Sequence, residues 1–347
     1  MQVFTLKVIN LRFETRDTLT VSFKQPALKK IKYLAGQYLT LIFRINGRRY
    51  IRPYSFSSAP GVDANLEVTI KRVPGGVVSN HIIDQLKVDD LVEVMEPMGD
   101  FVLTENNLLP KTHIVLWGAG SGITPLMSIA KYALHKNLAN HVTLVFGNRN
   151  EEDVIFSSKI VELKEQYKNQ FSAIHFLTQA VIASNNPYVV QGRINPDNVL
   201  SVMQSEGDIY DTIHYICGPA GLKESVKATL SELNIAPEKI YSEDFEILRD
   251  PAEFENIVTR IVTIKKDGLR LPVEVVKGKS ILEAGLDAMI DMSYSCQTGN
   301  CLVCKGRLIN GQVKMIGIEK LPEGLQQQEC LLCSSFPLTD NVEIEVD

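Results

Sequence analysis

The chain has no apolar run that approaches the ~20 residues a helix needs to cross a bilayer, and 22% of its residues are charged. Nor does its start read as a leader. The amino terminus, Met1-Gln-Val-Phe-Thr-Leu-Lys-Val8, alternates apolar and polar residues as a strand does, without the charged start and apolar middle of a signal peptide. A cytoplasmic location is therefore expected, where thiols stay reduced and clustered cysteines point to metal or catalysis more than to disulfides. Basic residues are in deficit, 36 Lys and Arg against 41 Asp and Glu for a net charge of -5. This argues against nucleic acid as a partner, because a binder needs a basic face to neutralise phosphates. The six histidines are scattered singly and suggest neither a Rieske nor a diiron site. Internal repeats and low-complexity tracts are absent.

What is present is enough for several cores. At 347 residues and 45% hydrophobic content the chain exceeds one ordinary domain, and three are expected. Three of its six cysteines fall in Tyr294-Ser-Cys-Gln-Thr-Gly-Asn-Cys-Leu-Val-Cys304. Cys296, Cys301 and Cys304 follow the spacing Cys-x4-Cys-x2-Cys, and Cys333 lies far downstream in Cys330-Leu-Leu-Cys333. This is the plant-type arrangement for a [2Fe–2S] centre. Four thiolates also suit tetrahedral zinc, but zinc sites usually come as two close pairs. Spacing alone does not choose between Cys330 and Cys333 as the fourth ligand.

From Val3 to about Val102, short strand-like runs (Leu19–Phe23, Tyr38–Phe43, Leu66–Lys71, Leu91–Met95) are broken by Gly, Pro and Asp, the pattern of a small antiparallel barrel. Within it, Arg52-Pro-Tyr-Ser-Phe-Ser-Ser58 places Arg52 and Tyr54 on one strand face and Ser55 on the other. Arg52 can grip a phosphate, Tyr54 can lie against a flat ring, and Ser55 offers hydrogen bonds. Taken alone, the stretch reads as a surface strand with a solvated arginine. Its companion is Gly75-Gly-Val-Val-Ser-Asn80, a glycine-rich turn into a helix expected over His81–Leu86, where backbone amides and Ser79 can hold a pyrophosphate.

The pattern changes after a polar stretch at Leu103–Lys111. His113–Trp117 is a continuous apolar strand, followed by Gly118-Ala-Gly-Ser-Gly122 and a helix with Thr124 as expected N-cap and Pro125 as its first residue. Strand, glycine turn and helix start make a nucleotide phosphate site, although Ile123 stands where the Rossmann fingerprint has its third glycine. Strands His141–Phe146, Ala173–Leu177 and Ile213–Cys217 alternate with helices Ser157–Gln166 and Leu222–Leu233, a parallel, doubly wound order. Cys217-Gly-Pro-Ala-Gly-Leu222 ends the last strand, where ligands of such sheets gather. A cysteine there is by itself a small core residue. Asn148-Arg-Asn150 falls where an adenosine ribose lies. Arg149 there favours a 2′-phosphate and NADPH, while Glu151, Glu152 and Asp153 leave NADH open.

Leu248-Arg-Asp-Pro-Ala-Glu253 reads as a linker with a proline stop. Beyond it, Ile257–Lys265 and Arg270–Val276 flank Asp267-Gly268 as a hairpin, and Ser280 with Glu283 forms a capping box for a helix through Met289. Gly306–Ile309 and Gln312–Met315 flank Asn310-Gly311 as a second hairpin, with Val342–Val346 closing the sheet. From Asn256 to Asp347 there are twelve acids and ten basic residues, so this segment is no acidic docking surface.

Arg52-x-Tyr54-Ser55 with Gly75-Gly76-x-x-Ser79-Asn80, and Gly118-x-Gly-x-Gly-x-Thr-Pro125 with Cys217-Gly218-Pro219, resemble the flavin and nicotinamide domains of the ferredoxin–NADP reductase superfamily. The last ninety residues resemble plant-type ferredoxins in cysteine spacing and order of elements. The resemblance implies that Arg52, Gly76 and Ser79 meet the flavin phosphates, that Tyr54 packs on the isoalloxazine and that Ser55 lies near its N5. It implies that Gly118, Gly120, Thr124 and Pro125 contact the nicotinamide nucleotide, and that Cys217 and Gly218 sit beside hydride transfer in a positional role with no activated thiolate. It also implies that Cys333 completes the cluster, that Cys330 stands at an apolar core position, and that Gly299 and Gly306 aim amides at the sulfurs. FAD is expected as the flavin, with FMN open. The expected architecture is multidomain: an antiparallel β-barrel flavin domain (1–105), an α/β doubly wound nucleotide domain (106–247), a linker (248–255) and an α+β, β-grasp ferredoxin domain (256–347). Such a chain resembles the reductase components of bacterial oxygenases, those of phenylacetyl-CoA epoxidases nearest. It implies electron flow from NADPH through FAD and the cluster to an oxygenase. Reductases for hybrid-cluster, Rieske or haem acceptors, and a non-enzymatic redox sensor, are the alternatives.

Overall fold

A computed structural model describes residues 2–26, 30–105, 112–179, 188–205, 211–247, 249–318 and 321–347. Of the stretch Leu103–Lys111, expected to join the first two domains, residues 106–111 lie outside the described residues, as does Leu248 at the head of the second linker. The chain divides into two compact units, residues 1–43 with 54–244 and residues 44–53 with 245–347.

The first unit holds two sheets. One is formed by β1 (Val3–Thr15), β2 (Thr18–Phe23), β3 (Tyr38–Ile45), β4 (Arg48–Ser55), β5 (Leu66–Lys71) and β6 (Leu91–Met95), in the order β4-β3-β6-β1-β2-β5. Its pairings through β1, β2, β5 and β6 are antiparallel. Just past β4, Phe56 bridges to Val68 of β5, so the two edge strands meet and the sheet closes as a barrel should. Closure removes the unpaired edges that an open sheet exposes. Helix α1 (Val77–Gln85) starts four residues earlier than expected, with Gly76 as its N-cap.

The second sheet runs β10-β9-β8-β7-β11-β12, all parallel: β7 (His113–Ala119), β8 (His141–Asn148), β9 (Phe171–Leu177), β10 (Val189–Gln191), β11 (Thr212–Cys217) and β12 (Ile240–Glu243). Helices α2 (Ile123–His135), α3 (Ser157–Gln166), α4 (Pro196–Ser205) and α5 (Ala220–Glu232) alternate with the strands. Residues 114–117 are wholly buried because helices cover both faces. Strand order reverses between β7 and β11, which sets the topological switch point of the sheet.

Helix α2 also corrects a sequence expectation. A 3-10 turn at Gly120–Gly122 precedes it and Gly122 is its N-cap, so Thr124 and Pro125 lie inside the first turn. Thr124 Oγ1 donates to the Ser121 carbonyl at 3.0 Å. Proline is tolerated there because the first four helical N–H groups have no intrahelical acceptor. Two contacts tie α2 to the barrel: Ser128 Oγ donates to the Ser58 carbonyl at 2.6 Å, and buried Lys131 pairs with Asp63 at 2.6 Å.

In the second unit, β13 (Arg260–Lys266), β14 (Leu269–Val275), α6 (Ile281–Asp287), β15 (Lys305–Asn310), β16 (Val313–Met315), β17 (Glu329–Leu331), β18 (Ser335–Pro337) and β19 (Glu343–Glu345) follow in chain order. The main sheet is mixed, β14-β13-β19-β15-β17, with β19 parallel to β13 and antiparallel to β15. The Asp267-Gly268 hairpin and the Ser280–Glu283 capping box are both present. The hairpin expected at Asn310-Gly311 is not a ladder: β15 pairs with β17 and β19, while β16 pairs with β18. The turn itself forms, with Gly311 at φ +80°, but both edges of β15 are already taken. The carboxyl-terminal strand lies in the middle of the sheet. Residues 44–53, the tip of the β3–β4 hairpin, join this unit: the Ile51 N–H donates to the buried Tyr294 hydroxyl at 3.1 Å, and Arg48 and Arg49 pair with Asp287 and Asp291.

One glycine of the first unit has no room for a side chain. At Gly36, with φ +102°, an added Cβ would lie 2.0 Å from the Phe101 carbonyl oxygen and 3.2 Å from Ile129 of α2. Gly36→Ala combines left-handed strain with a backbone clash, each worth ~1–3 kcal/mol. The expected outcome is a Tm lowered by several degrees, measured by calorimetry; an unchanged Tm refutes it.

Candidate functional site

The carboxyl ends of β7, β11 and β12 meet at the switch point, and small residues make the meeting possible. Cys217 pairs with Gly118, and its carbonyl oxygen would lie 2.0 Å from a Cβ on Gly122. A Cβ on Gly118 would sit 2.8 Å from Leu126, and one on Gly218 would sit 2.8 Å from Leu222 and 3.2 Å from the Ala119 nitrogen. Only glycines let the helix start press this closely on the strand end. Gly120 differs, since its φ is +54° and nothing lies within 4 Å of its Cβ position. An open, left-handed turn at a helix start has the form of a phosphate cradle.

Ser55, the last residue of β4, comes to the same place. Its Oγ makes a long hydrogen bond of 3.5 Å to Glu243 Oε2, and Glu243 is paired along β12 with Cys217. Ser55 and Cys217, the two residues expected beside hydride transfer, are thus brought together by a third that no sequence motif singles out. Glu243 is hidden because Ser242–Phe245 has the look of an approach to a linker. The available signal is a lone acid at the carboxyl end of a parallel strand. Burial pushes its carboxyl up to about 8, partly offset by the Ser55 hydrogen bond and reinforced by Asp244. Burial, with help from Glu243 and Asp244, also raises the Cys217 thiol well above its usual range, so no thiolate forms there.

The remaining flavin-side residues follow from the barrel. Arg52 and Tyr54 are half-buried on β4, and Arg52 Nη1 donates to the Ile51 carbonyl at 2.8 Å. Gly75, at φ +71°, turns the chain into Gly76 and α1, whose first amides belong to Val77, Val78 and Ser79. Ser79 Oγ accepts from the Val73 N–H at 3.1 Å, which fixes the loop while leaving its own proton to donate. Arg149 stands apart from the switch point. Its Nε pairs with buried Asp153 at 2.9 Å, and Asp17 is 4.0 Å from Nη2. The guanidinium is thus oriented and half-exposed.

The cysteine loop is built from left-handed turns. Gln297, Gly299 and Leu302 have φ of +59°, +81° and +60°. Two of these are not glycine, so the loop carries strain that the surrounding contacts must hold. The turns aim amides at the sulfurs: Cys296 N–H donates to Cys301 Sγ at 3.4 Å and Thr298 N–H to Cys296 Sγ at 3.3 Å. Amides of Asn300, Val303 and Gly299 interact with Cys296, Cys301 and Cys333 in turn. The thiols fall into two touching pairs, Cys296 with Cys301 and Cys304 with Cys333. Two pairs of thiols are the arrangement that a two-iron centre takes. Cys330 is buried apart from them with Ser335 as partner, its thiol pushed up to about 11 mainly by burial. Packing also requires a glycine at 306, since a Cβ there would lie 2.6 Å from Ile344 and 2.9 Å from Leu332.

These sites define a flavin- and iron–sulfur-dependent oxidoreductase of nicotinamide nucleotides. The oxidoreductase FAD-binding domain family matches residues 5–103, the oxidoreductase NAD-binding domain family residues 116–228, and the 2Fe-2S iron-sulfur cluster binding domain family residues 264–338. The ferredoxin reductase component of 3-ketosteroid-9-alpha-monooxygenase from Rhodococcus rhodochrous is 30% identical over 96% of this chain and 93% of its own. A component of the 1,2-phenylacetyl-CoA epoxidase of Escherichia coli is 29% identical over 99% of this chain and 97% of its own. The solved structure of phthalate dioxygenase reductase matches in fold with a TM-score of 0.68 at 22% identity, over 99% of this chain and 98% of that one. The chain belongs to the ferredoxin–NADP reductase superfamily, in the branch that carries FAD, NAD(P) and carboxyl-terminal [2Fe–2S] domains on one polypeptide.

Two outcomes follow from this geometry. Cys330→Val should leave the visible spectrum of the cluster intact whereas Cys333→Ser should abolish or reshape it; the reverse result would exchange the two assignments. For Glu243, the folded pKa is raised, so its contribution to stability is full below the unfolded value of 4.5 and is lost as pH rises through about 8. The Tm advantage of Glu243→Gln over the parent should therefore grow across that window and then level off. A difference that does not vary with pH would show the carboxyl to be unperturbed.

Proposed function

We propose that this chain takes a hydride from NADPH and passes electrons through FAD and a [2Fe–2S] cluster to an oxygenase. The observation that carries the reading is the pairing of Cys296 with Cys301 and of Cys304 with Cys333 beneath inward-facing amides. These four thiolates ligate the cluster. Arg52, Gly76 and Ser79 bind the flavin phosphates, Tyr54 covers the ring, and Ser55 faces its reactive edge. Gly118, Gly120, Thr124, Pro125 and Gly218 shape the nicotinamide nucleotide site, with Cys217 beside the transferred hydride. The flavin, when bound, converts a two-electron donor into single electrons that the cluster can accept. The protein's part is to hold these groups, exclude water and set potentials, and no general acid or base is required.

The relatives are components of oxygenase systems, which supports an oxygenase as acceptor, and the similarity to the phenylacetyl-CoA epoxidase component directs the first trial to that type of partner. A monooxygenase of the ketosteroid type is the second candidate, given the similar identity to its reductase. A cytoplasmic location is supported by the reduced thiols that cluster assembly needs. The experiment is reconstitution: the purified holoprotein, NADPH and each candidate oxygenase, with substrate turnover as readout. Failure to couple to any oxygenase despite rapid cytochrome c reduction would reject the acceptor while keeping the reductase.

The choice of NADPH rests on Arg149, whose Nε is anchored by Asp153 so that its terminal nitrogens can meet a 2′-phosphate. Arg149→Ala should raise the KM for NADPH roughly tenfold, as expected for loss of about 1.4 kcal/mol of charge-assisted binding, and leave the KM for NADH nearly unchanged. Equal effects on both nucleotides would count against this specificity.

A further inference from the structure

The segment ahead of the ferredoxin sheet reads as a polar linker, yet one of its arginines is turned inward. Arg249 Nη2 donates to the carbonyl oxygen of Cys333 at 3.1 Å, and the guanidinium carbon lies 5.2 Å from the centre of the Phe336 ring. Its side chain is 24% exposed, and its Nε is buried without a partner. The nearest acid, Glu283, is 3.8 Å away and half-exposed. The segment around it is pinned: Asp250 caps the turn Pro251–Phe254, Phe254 meets Phe336 edge-on at 5.0 Å, and Lys314 donates to the Glu253 carbonyl at 2.9 Å. A linker that only joined domains would have no reason to desolvate a cation.

We propose that Arg249 is a positioning residue that sets the redox potential of the cluster held by Cys296, Cys301, Cys304 and Cys333. It acts through the Cys333 main chain, which it fixes, and through its charge. Burying a guanidinium is costly unless a counter-charge lies close. Glu283 supplies part of one at the far side of the distance range for an ion pair. The rest comes from the four thiolates and the cluster they carry, whose negative charge increases by one on reduction. A fixed cation therefore favours the reduced state and raises the potential, one of the recognised means by which a protein tunes such a centre. Glu283 opposes this by partly neutralising Arg249, so the two residues have opposite signs of effect.

The inference rests on the ligand assignment above, and the test separates the two. The purified holoprotein and the variants R249Q, R249K and E283Q are titrated anaerobically with a graded reductant while the electron paramagnetic resonance signal of the reduced cluster is followed. Glutamine at position 283 keeps the capping box, which accepts Glu or Gln at this place. With visible spectra unchanged, the midpoint should shift to lower potential in R249Q, to higher potential in E283Q, and in R249K fall between the parent and R249Q. Opposite shifts are what damage to packing alone cannot produce. Midpoints that stay together, or that move the same way in R249Q and E283Q, overturn the proposal. If R249Q does not retain its cluster, R249K and E283Q decide by the same criterion. A parent protein without any cluster signal refutes the ligand assignment instead.

Discussion

Left-handed turns that open a helix or a ligand loop are the device on which this structure depends. It appears at the start of α1 after Gly75, at the 3-10 turn Gly120–Gly122 before α2, and in the cysteine loop around Gln297, Gly299 and Leu302. In each case a residue with positive φ reverses the chain. In the cysteine loop the turns direct N–H groups at thiol sulfurs. Net charge does none of this work, since the chain as a whole is acidic. An amide array also lowers the cost of gathering negative charge without admitting mobile cations, and so keeps each site selective by geometry.

The second dependence is on close approach. Gly122 against the Cys217 carbonyl and Gly118 against Leu126 let a helix start and two strand ends converge where the sheet changes direction. The barrel then delivers Ser55 to the same point, and Glu243 joins the two. Burial raises both the Glu243 carboxyl and the Cys217 thiol, so this corner disfavours added negative charge on either.

How much of this is written in local sequence depends on the range of the interaction. The cysteine spacing, the parallel strands and the capping box Ser280–Glu283 are legible because ligand chemistry, hydrophobic runs and helix ends are local. The turn at Asn310-Gly311 misleads because a turn signal says where the chain reverses but not which strands will occupy the edges of β15. Thr124 resembles an N-cap for a similar reason: the 3-10 turn that moves the helix start to Ile123 exists to bring Gly122 onto a carbonyl some hundred residues away. Glu243 and Arg249 are invisible as functional candidates, since one follows a three-residue helical turn on a short strand and the other sits among the polar residues of an apparent linker. Their meaning comes only from what they touch.

The acids of the ferredoxin segment show why it needs no charged docking face of its own. Asp287 pairs with both Arg48 and Lys279, and Asp291 pairs with Arg49, so two carboxylates that a free ferredoxin could present to a reductase are engaged within the second unit. Such exposed pairs contribute only ~0–1 kcal/mol each. The buried hydrogen bond from Ile51 to the Tyr294 hydroxyl is the better anchor, because solvent does not compete for it. Long-range steering serves partners that must find each other by diffusion. A covalent connection replaces that search with a high effective concentration.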